Sequence, residues 1–154
     1  MKSSLLFLDV EDVIEIHDSL LSEGQGLKGV NQDKVEAVIG RVKSNYSYTD
    51  NIQTPFDLAA HYAVAIARGH AFNDGNKRTA FVTMITVLKI NGIPVPDDMQ
   101  EQLLENVDSW ADLMVGVAEG KVEAKHLANI ISLVYLVALA GVGLSKIITY
   151  FTNE

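Results

Sequence analysis

The run His70-Ala71-Phe72-Asn73-Asp74-Gly75-Asn76-Lys77-Arg78-Thr79-Ala80 joins two apolar helical patterns and gathers reactive chemistry as no other stretch of the chain does. An imidazole, a carboxylate, carboxamides, an ammonium and a guanidinium fall between His70 and Arg78. On the upstream side, Thr54-Pro55-Phe56-Asp57 reads as a helix start: a capping hydroxyl, proline at the first helical position and an acid three residues after the cap. The stripe that follows is Phe56, Ala59, Ala60, Ala63, Val64 and Ala67, and Gly69 ends it. So many alanines predict close approach by another helix. Downstream, Thr79 to Ile90 is apolar on nearly all sides, as expected of a central helix, and Gly92 terminates it.

Further out the period stays helical. Asp9 can cap a helix carrying Val10, Val13, Ile14, His17, Leu20 and Leu21 that stops before Gly24, and a glycine-rich loop runs from Gly24 to Gly29. Asn31 caps a second helix with Val35, Val38, Ile39 and Val42 inward, and the polar stretch Ser44 to Gln53 reads as a connection able to act as a flap. Past Pro94 and Pro96 come an acidic helix from about Asp98 to Asn106, another with Trp110, Leu113, Met114 and Val117, and a long apolar helix from about Ala124. No period-2 run is sustained. The expectation is an all-α bundle of six to seven helices forming one domain over residues 1–154, with an apolar C-terminal extension from about residue 136.

With 154 residues, 48% of them hydrophobic and 21% charged, the chain has the length and composition to bury one core. It has no cysteine, which excludes disulfides and thiolate metal sites and suits a reducing compartment. A formal charge of −8 argues against nonspecific nucleic-acid binding, which needs clustered cations. Eight carboxylates lie between Asp97 and Glu123 against Lys121 alone, whereas Arg68, Lys77 and Arg78 crowd the motif. That contrast suits an anionic nucleotide held on an acidic body; the carboxylates also fit a solvated helix face. Met1 to Leu8 is too short for the apolar region of an export signal.

The motif's side chains suggest phosphate chemistry. A helix beginning near Gly75 offers backbone N–H groups of Gly75, Asn76, Lys77 and Arg78 and the positive end of its dipole. Cations are unfavourable there, so Lys77 and Arg78 call for an anion. His70 is the candidate general base, although a histidine at a helix end also serves as a cap or surface residue. Asp74 fits either an N-cap or a ligand for magnesium, which takes one carboxylate together with phosphate oxygens and waters. Asn76 can bond phosphate or cap the loop, and Phe72 would anchor the loop in the core. His17, His61 and His126 lack any such context and read as structural. Gly69 and Gly75 are separated by five residues, and Gly75 is not followed by Lys-Ser/Thr, so this is not a Walker loop.

The run resembles the signature of the Fic/Doc family, His-x-Phe-x-(Asp/Glu)-Gly-Asn-Gly-Arg in typical Fic proteins and His-x-Phe-x-Asp-Ala-Asn-Lys-Arg in the Doc branch. Lys77 matches Doc. Similarity extends to Ile16-His17-Asp18, Glu36 to Val42, Ala67-Arg68-Gly69-His70 and Val115 to Gly120, covering roughly residues 9–135. The resemblance implies a Fic-fold toxin of a toxin–antitoxin pair. It would be a cytoplasmic protein kinase using ATP and Mg2+ to phosphorylate a hydroxyl of a translation factor, a threonine of elongation factor Tu. His70 and Asp74 would be catalytic, with Asp74 on the metal, and Gly75, Asn76, Lys77, Arg78 and Arg68 at the phosphates. Alternatives left open are AMP transfer, as in typical Fic proteins, and a non-catalytic binding module or corepressor. The implied inhibitor is a separate antitoxin, not a self-inhibiting helix of the Ser/Thr-x-x-x-Glu-Gly/Asn type. Because the resemblance runs into the first half of the apolar stretch Leu127 to Leu144, that stretch is read as a buried last helix rather than a membrane anchor; it could also serve an oligomer interface.

Overall fold

Asp9 starts the first helix as its sequence suggests. Its carboxylate accepts the Asp12 N–H at 3.0 Å while the Asp12 carboxylate accepts the Asp9 N–H at 3.0 Å, and the backbone bond from Asp12 holds the Asp9 carboxyl below its ordinary value. The computed structural model describes residues 4–21, 29–95 and 107–139. Within them lie α1 (Val10–Leu21), α2 (Gln32–Tyr48), α3 (Pro55–Gly69), α4 (Asn76–Ile90), α5 (Val107–Ala118) and α6 (Ala124–Leu139). The fold among the described residues is all-α, and its one β-type pairing is an isolated antiparallel bridge between Val30 and Phe72. The glycine-rich loop before Gly29, the acidic helix expected over 98–106 and the tail beyond residue 139 lie outside the described residues.

Helix α3 is the hub. Thr54 accepts the Asp57 N–H at 3.2 Å and Asp57 accepts the Thr54 N–H at 3.1 Å, a reciprocal cap that satisfies two donors at the helix start. Leu58, Ala59, Ala60, Tyr62, Ala63, Ala65, Ile66 and Ala67 are all buried, and the small side chains let α2, α4, α5 and α6 pack around this helix. Helix α4 shares the centre, packed against α1, α3 and α5, with Thr79, Ala80, Thr83, Met84, Val87 and Leu88 buried. Phe81 meets Trp110 of α5 with ring centroids 4.9 Å apart. The α3–loop–α4 hairpin therefore stands on a core enclosed from several sides, and its loop is carried on rigid helices.

Two devices attach the N-terminal segment. The Tyr62 hydroxyl donates to the Leu8 carbonyl at 2.7 Å and accepts the Leu8 N–H at 3.0 Å; burial pushes its pKa up to about 12. The Asn91 side chain makes the same two-way exchange with Leu6, at 3.0 Å and 2.8 Å.

The expected flap over Ser44 to Gln53 is not a flap. Helix α2 continues to Tyr48, with Tyr46 packed edge-on against Phe7, and the turn that follows is pinned by Thr49 Oγ1 donating to the Asn45 carbonyl at 2.6 Å and by the buried Ile52. Polar composition concealed a helix whose outer face is merely solvated. At the other end, α6 buries Leu127, Ala128, Ile130, Ile131 and Val134 while Leu133 and Leu136 face solvent. Among the described residues no helix is long and apolar enough to cross a membrane.

Candidate active site

The chain leaves α3 through His70, whose φ of 50° makes it the one non-glycine residue with positive φ among the described residues. That left-handed conformation costs an L-residue on the order of 1–2 kcal/mol, so a glycine would end this helix more easily. Its imidazole is exposed in return, at the rim of the motif loop. At Gly69, just before it, α2 packs close: a Cβ there would stand 2.6 Å from Val38 Cγ2. The helix end is thus fixed in place by packing.

The loop is tied down from three directions. Residues 29–31 run alongside it: the Asn31 N–H donates to the Ala71 carbonyl at 2.7 Å and the Asn73 N–H to the Gly29 carbonyl at 3.1 Å. Asn76 reaches back from α4, accepting the Phe72 N–H at 3.2 Å and donating to the Phe72 carbonyl at 2.9 Å. Of the two roles open to Asn76, the structure displays the loop cap. Phe72, 4% exposed, sits in the core as the expected anchor, and beneath it lies His17, its ring stacked on Phe72 at 3.8 Å with an interplanar angle of 10°.

Gly75 opens α4 with φ 80°, and its N–H donates to Asp74 Oδ1 at 2.8 Å. Lys77 and Arg78 stand exposed in the first turn and make no ion pair among the described residues. Two unpaired cations on the positive end of a helix are a local electrostatic deficit that a bound anion would relieve. The Asp74 carboxylate is solvent-exposed, a hard oxygen donor of the kind magnesium shares with phosphates and water. Among the described residues no three His, Asp or Glu side chains converge as a metal cage.

Arg68 is placed elsewhere than the phosphate role expected of it. Its guanidinium donates to the Val117 carbonyl at 2.8 Å and the Val122 carbonyl at 2.8 Å, and pairs with Glu123 at 3.3 Å. With its donors spent on the α5–α6 turn, it staples that turn to the end of α3. His17, read as structural, is part of the core. It is fully buried under the motif, and the clue in the sequence was an ionisable ring inside the apolar stripe of α1.

A groove of about 730 Å³ opens at the opposite end of α3, between its first turns and α6, and is lined by Asp57, His61, Glu123 and Lys125 among others. None of the motif's reactive groups lines it. A hollow of about 500 Å³ does adjoin the loop, walled by residues 29–33 and Asn73. The chemistry, and not the cavity size, locates the site.

Residues 7–88 match the model of the Fic/DOC family. The chain belongs to the Fic/DOC family. Its Fic/DOC relatives include the protein kinase Doc of Escherichia phage P1, 37% identical over 126 residues, which span 81% of this chain and 92% of that protein. Another is the toxin Doc of Mycolicibacterium smegmatis, 34% identical over 112 residues, spanning 73% of this chain and 80% of that one. The family match contains the whole motif, all of α3 and α4 as far as Leu88.

Proposed function

We propose that this chain is the toxin of a toxin–antitoxin pair. It acts in the cytoplasm, transferring the γ-phosphate of ATP to a hydroxyl of a translation factor, with a threonine of elongation factor Tu as the first candidate. The observation that carries the reading is the loop itself: an exposed residue, His70, at the end of α3 comes six residues before the start of α4, whose first turn carries two cations without an ion pair among the described residues. Likeness to relatives described as a protein kinase and as a toxin supports the same reading.

In this reading neutral His70 takes the proton of the target hydroxyl as its oxygen attacks the γ-phosphorus. The bond from that phosphorus to the bridging oxygen breaks, and ADP departs with the electron pair. Lys77, Arg78 and the first-turn N–H groups of α4 hold phosphate oxygens and offset their charge. Asp74 would hold magnesium, which would neutralise part of the phosphate charge. Asn76 keeps the loop closed around Phe72, so these groups meet the nucleotide without rearrangement.

AMP transfer is the second reading. His70 would act in the same way with attack at the α-phosphorus and pyrophosphate as leaving group; Lys77, standing where typical Fic proteins carry glycine, weighs against it. A separate antitoxin remains the proposed inhibitor, with one amendment: Ser19-Leu20-Leu21-Ser22-Glu23-Gly24 does spell the self-inhibitory pattern. A rise in transfer by Glu23→Gly in the isolated chain would assign inhibition to the chain itself; no change leaves it to the partner. Calorimetry with ATP and magnesium tests the phosphate site. Affinity falls in Lys77→Ala and Arg78→Ala if the reading holds, and unchanged affinity in both contradicts it.

A further inference from the structure

The buried face of the motif loop rests on a polar group that the proposed reaction does not use. His17, on α1, is 0% exposed; its Nε2 lies 2.9 Å from the Asp74 carbonyl oxygen, and its Nδ1 lies 3.2 Å from the carboxylate of Asp18. A carbonyl oxygen only accepts, so Nε2 is the donor in the first contact. The ring is stacked face to face on Phe72, and a Cβ built on Gly75 would stand 3.7 Å from His17 Cδ2. One imidazole thus touches or underlies Phe72, Asp74 and Gly75, the residues that turn the chain from the loop into α4.

We infer that His17 is a positioning residue: its Nε2–H fixes the Asp74 carbonyl, and with it the direction of the Asp74 side chain and the Gly75 amide at the head of α4. Three observations separate this from ordinary core packing. A buried imidazole is costly without a partner, and here Nε2 finds its partner in the backbone of the motif acid, on another element 57 residues along the chain. Asp18, 61% exposed, lies 3.2 Å from Nδ1 at the opposite edge of the ring, so the two ring nitrogens face different elements. Gly75 takes φ 80° with only ordinary van der Waals room above the ring, so ring and turn fit one geometry. Groups behind a ligand that orient it typically carry 10–100-fold in affinity or activity, on the order expected here. The inference rests on the proposed phosphate site for its functional consequence, and on geometry alone for the loop.

The test uses the full chain with His17→Gln, whose amide nitrogen can stand where Nε2 stood, and His17→Phe, which keeps a stacked ring without the donor. In nucleotide-free protein, the backbone amide resonances of Asp74, Gly75 and Asn76 should shift in His17→Phe and return toward wild type in His17→Gln. With ATP and magnesium, His17→Phe should lose about 10–100-fold in transfer rate or in the magnesium requirement, and His17→Gln should recover most of it. Unmoved loop amides in His17→Phe overturn the inference, as does equal impairment of both variants, which would mark simple packing. If His17→Phe does not fold, His17→Leu, which also lacks the donor and suits the buried position, takes its place, and unmoved loop amides there overturn the inference as well. Loop amides that respond while wild-type protein binds no ATP would uphold the positioning role and reject the phosphate site.

Discussion

His70 occupies a backbone conformation that glycine would take at less cost, and its ring is solvent-facing when a cap or core role would have drawn it inward. That combination separates it from the other histidines. His70→Ala removes the proposed base while keeping the Cβ, and so the backbone strain, at φ 50°, so transfer should fall by about 10²–10⁴-fold with the melting temperature held within a few degrees; a single-turnover assay beside a thermal melt checks both. His61 has a different task. Burial lowers its pKa below the ordinary 6.5, with the Asp57 carboxylate opposing. The unfolded chain then binds a proton more readily than the folded one, so the His61 contribution to stability is intact above about pH 6.5 and is lost as the pH falls below it. Melting curves between pH 8 and pH 5, on the order of that range, should show a steeper acid loss in wild type than in His61→Gln. The sequence singled out His70, Asp74, Lys77 and Arg78 because their types are unusual side by side. It could not disclose the duties of His17 or Arg68, whose partners lie 57 and 49 residues away along the chain.

Helix starts were the most legible elements, since a cap is a local contract between a side chain and the next turn. Asp9, Asn31 and Thr54 each accept the N–H three residues on, at 3.0, 3.2 and 3.2 Å. Thr54→Ala should therefore cost about 1 kcal/mol in a urea melt, with no change in nucleotide binding because the cap lies at the far end of α3 from the loop. A loss of nucleotide binding without loss of stability would mean that the two ends of α3 are coupled in a way the packing does not display. Helix ends were less legible: α2 outran its apolar stripe because Tyr46 finds Phe7 from the N-terminal segment, a contact no local pattern encodes. The strap formed by residues 29–31 on the motif loop is likewise a tertiary product, three residues long and without strand periodicity.

At the scale of the molecule, the all-α layout followed from period and punctuation, while the identity of the hub did not. The sequence reads α4 as the central helix, yet the alanine-rich α3 packs against more helices, because small side chains admit close neighbours. Helix α6 has one face buried in the core, and Leu136 is 62% exposed on the other. Deleting residues 136–154 should lower solubility or dissociate an oligomer while leaving ATP affinity intact, checked by light scattering and calorimetry; an unchanged mass, solubility and melting temperature would refute a role in core or interface. The central claim concerns which phosphate moves. The most direct measurement incubates the full chain with a bacterial translation extract and ATP labelled at either the γ- or the α-phosphate. The account predicts one labelled protein with the γ label, none with the α label, and no labelling by His70→Ala; labelling from the α position, or γ labelling that survives His70→Ala, would contradict it.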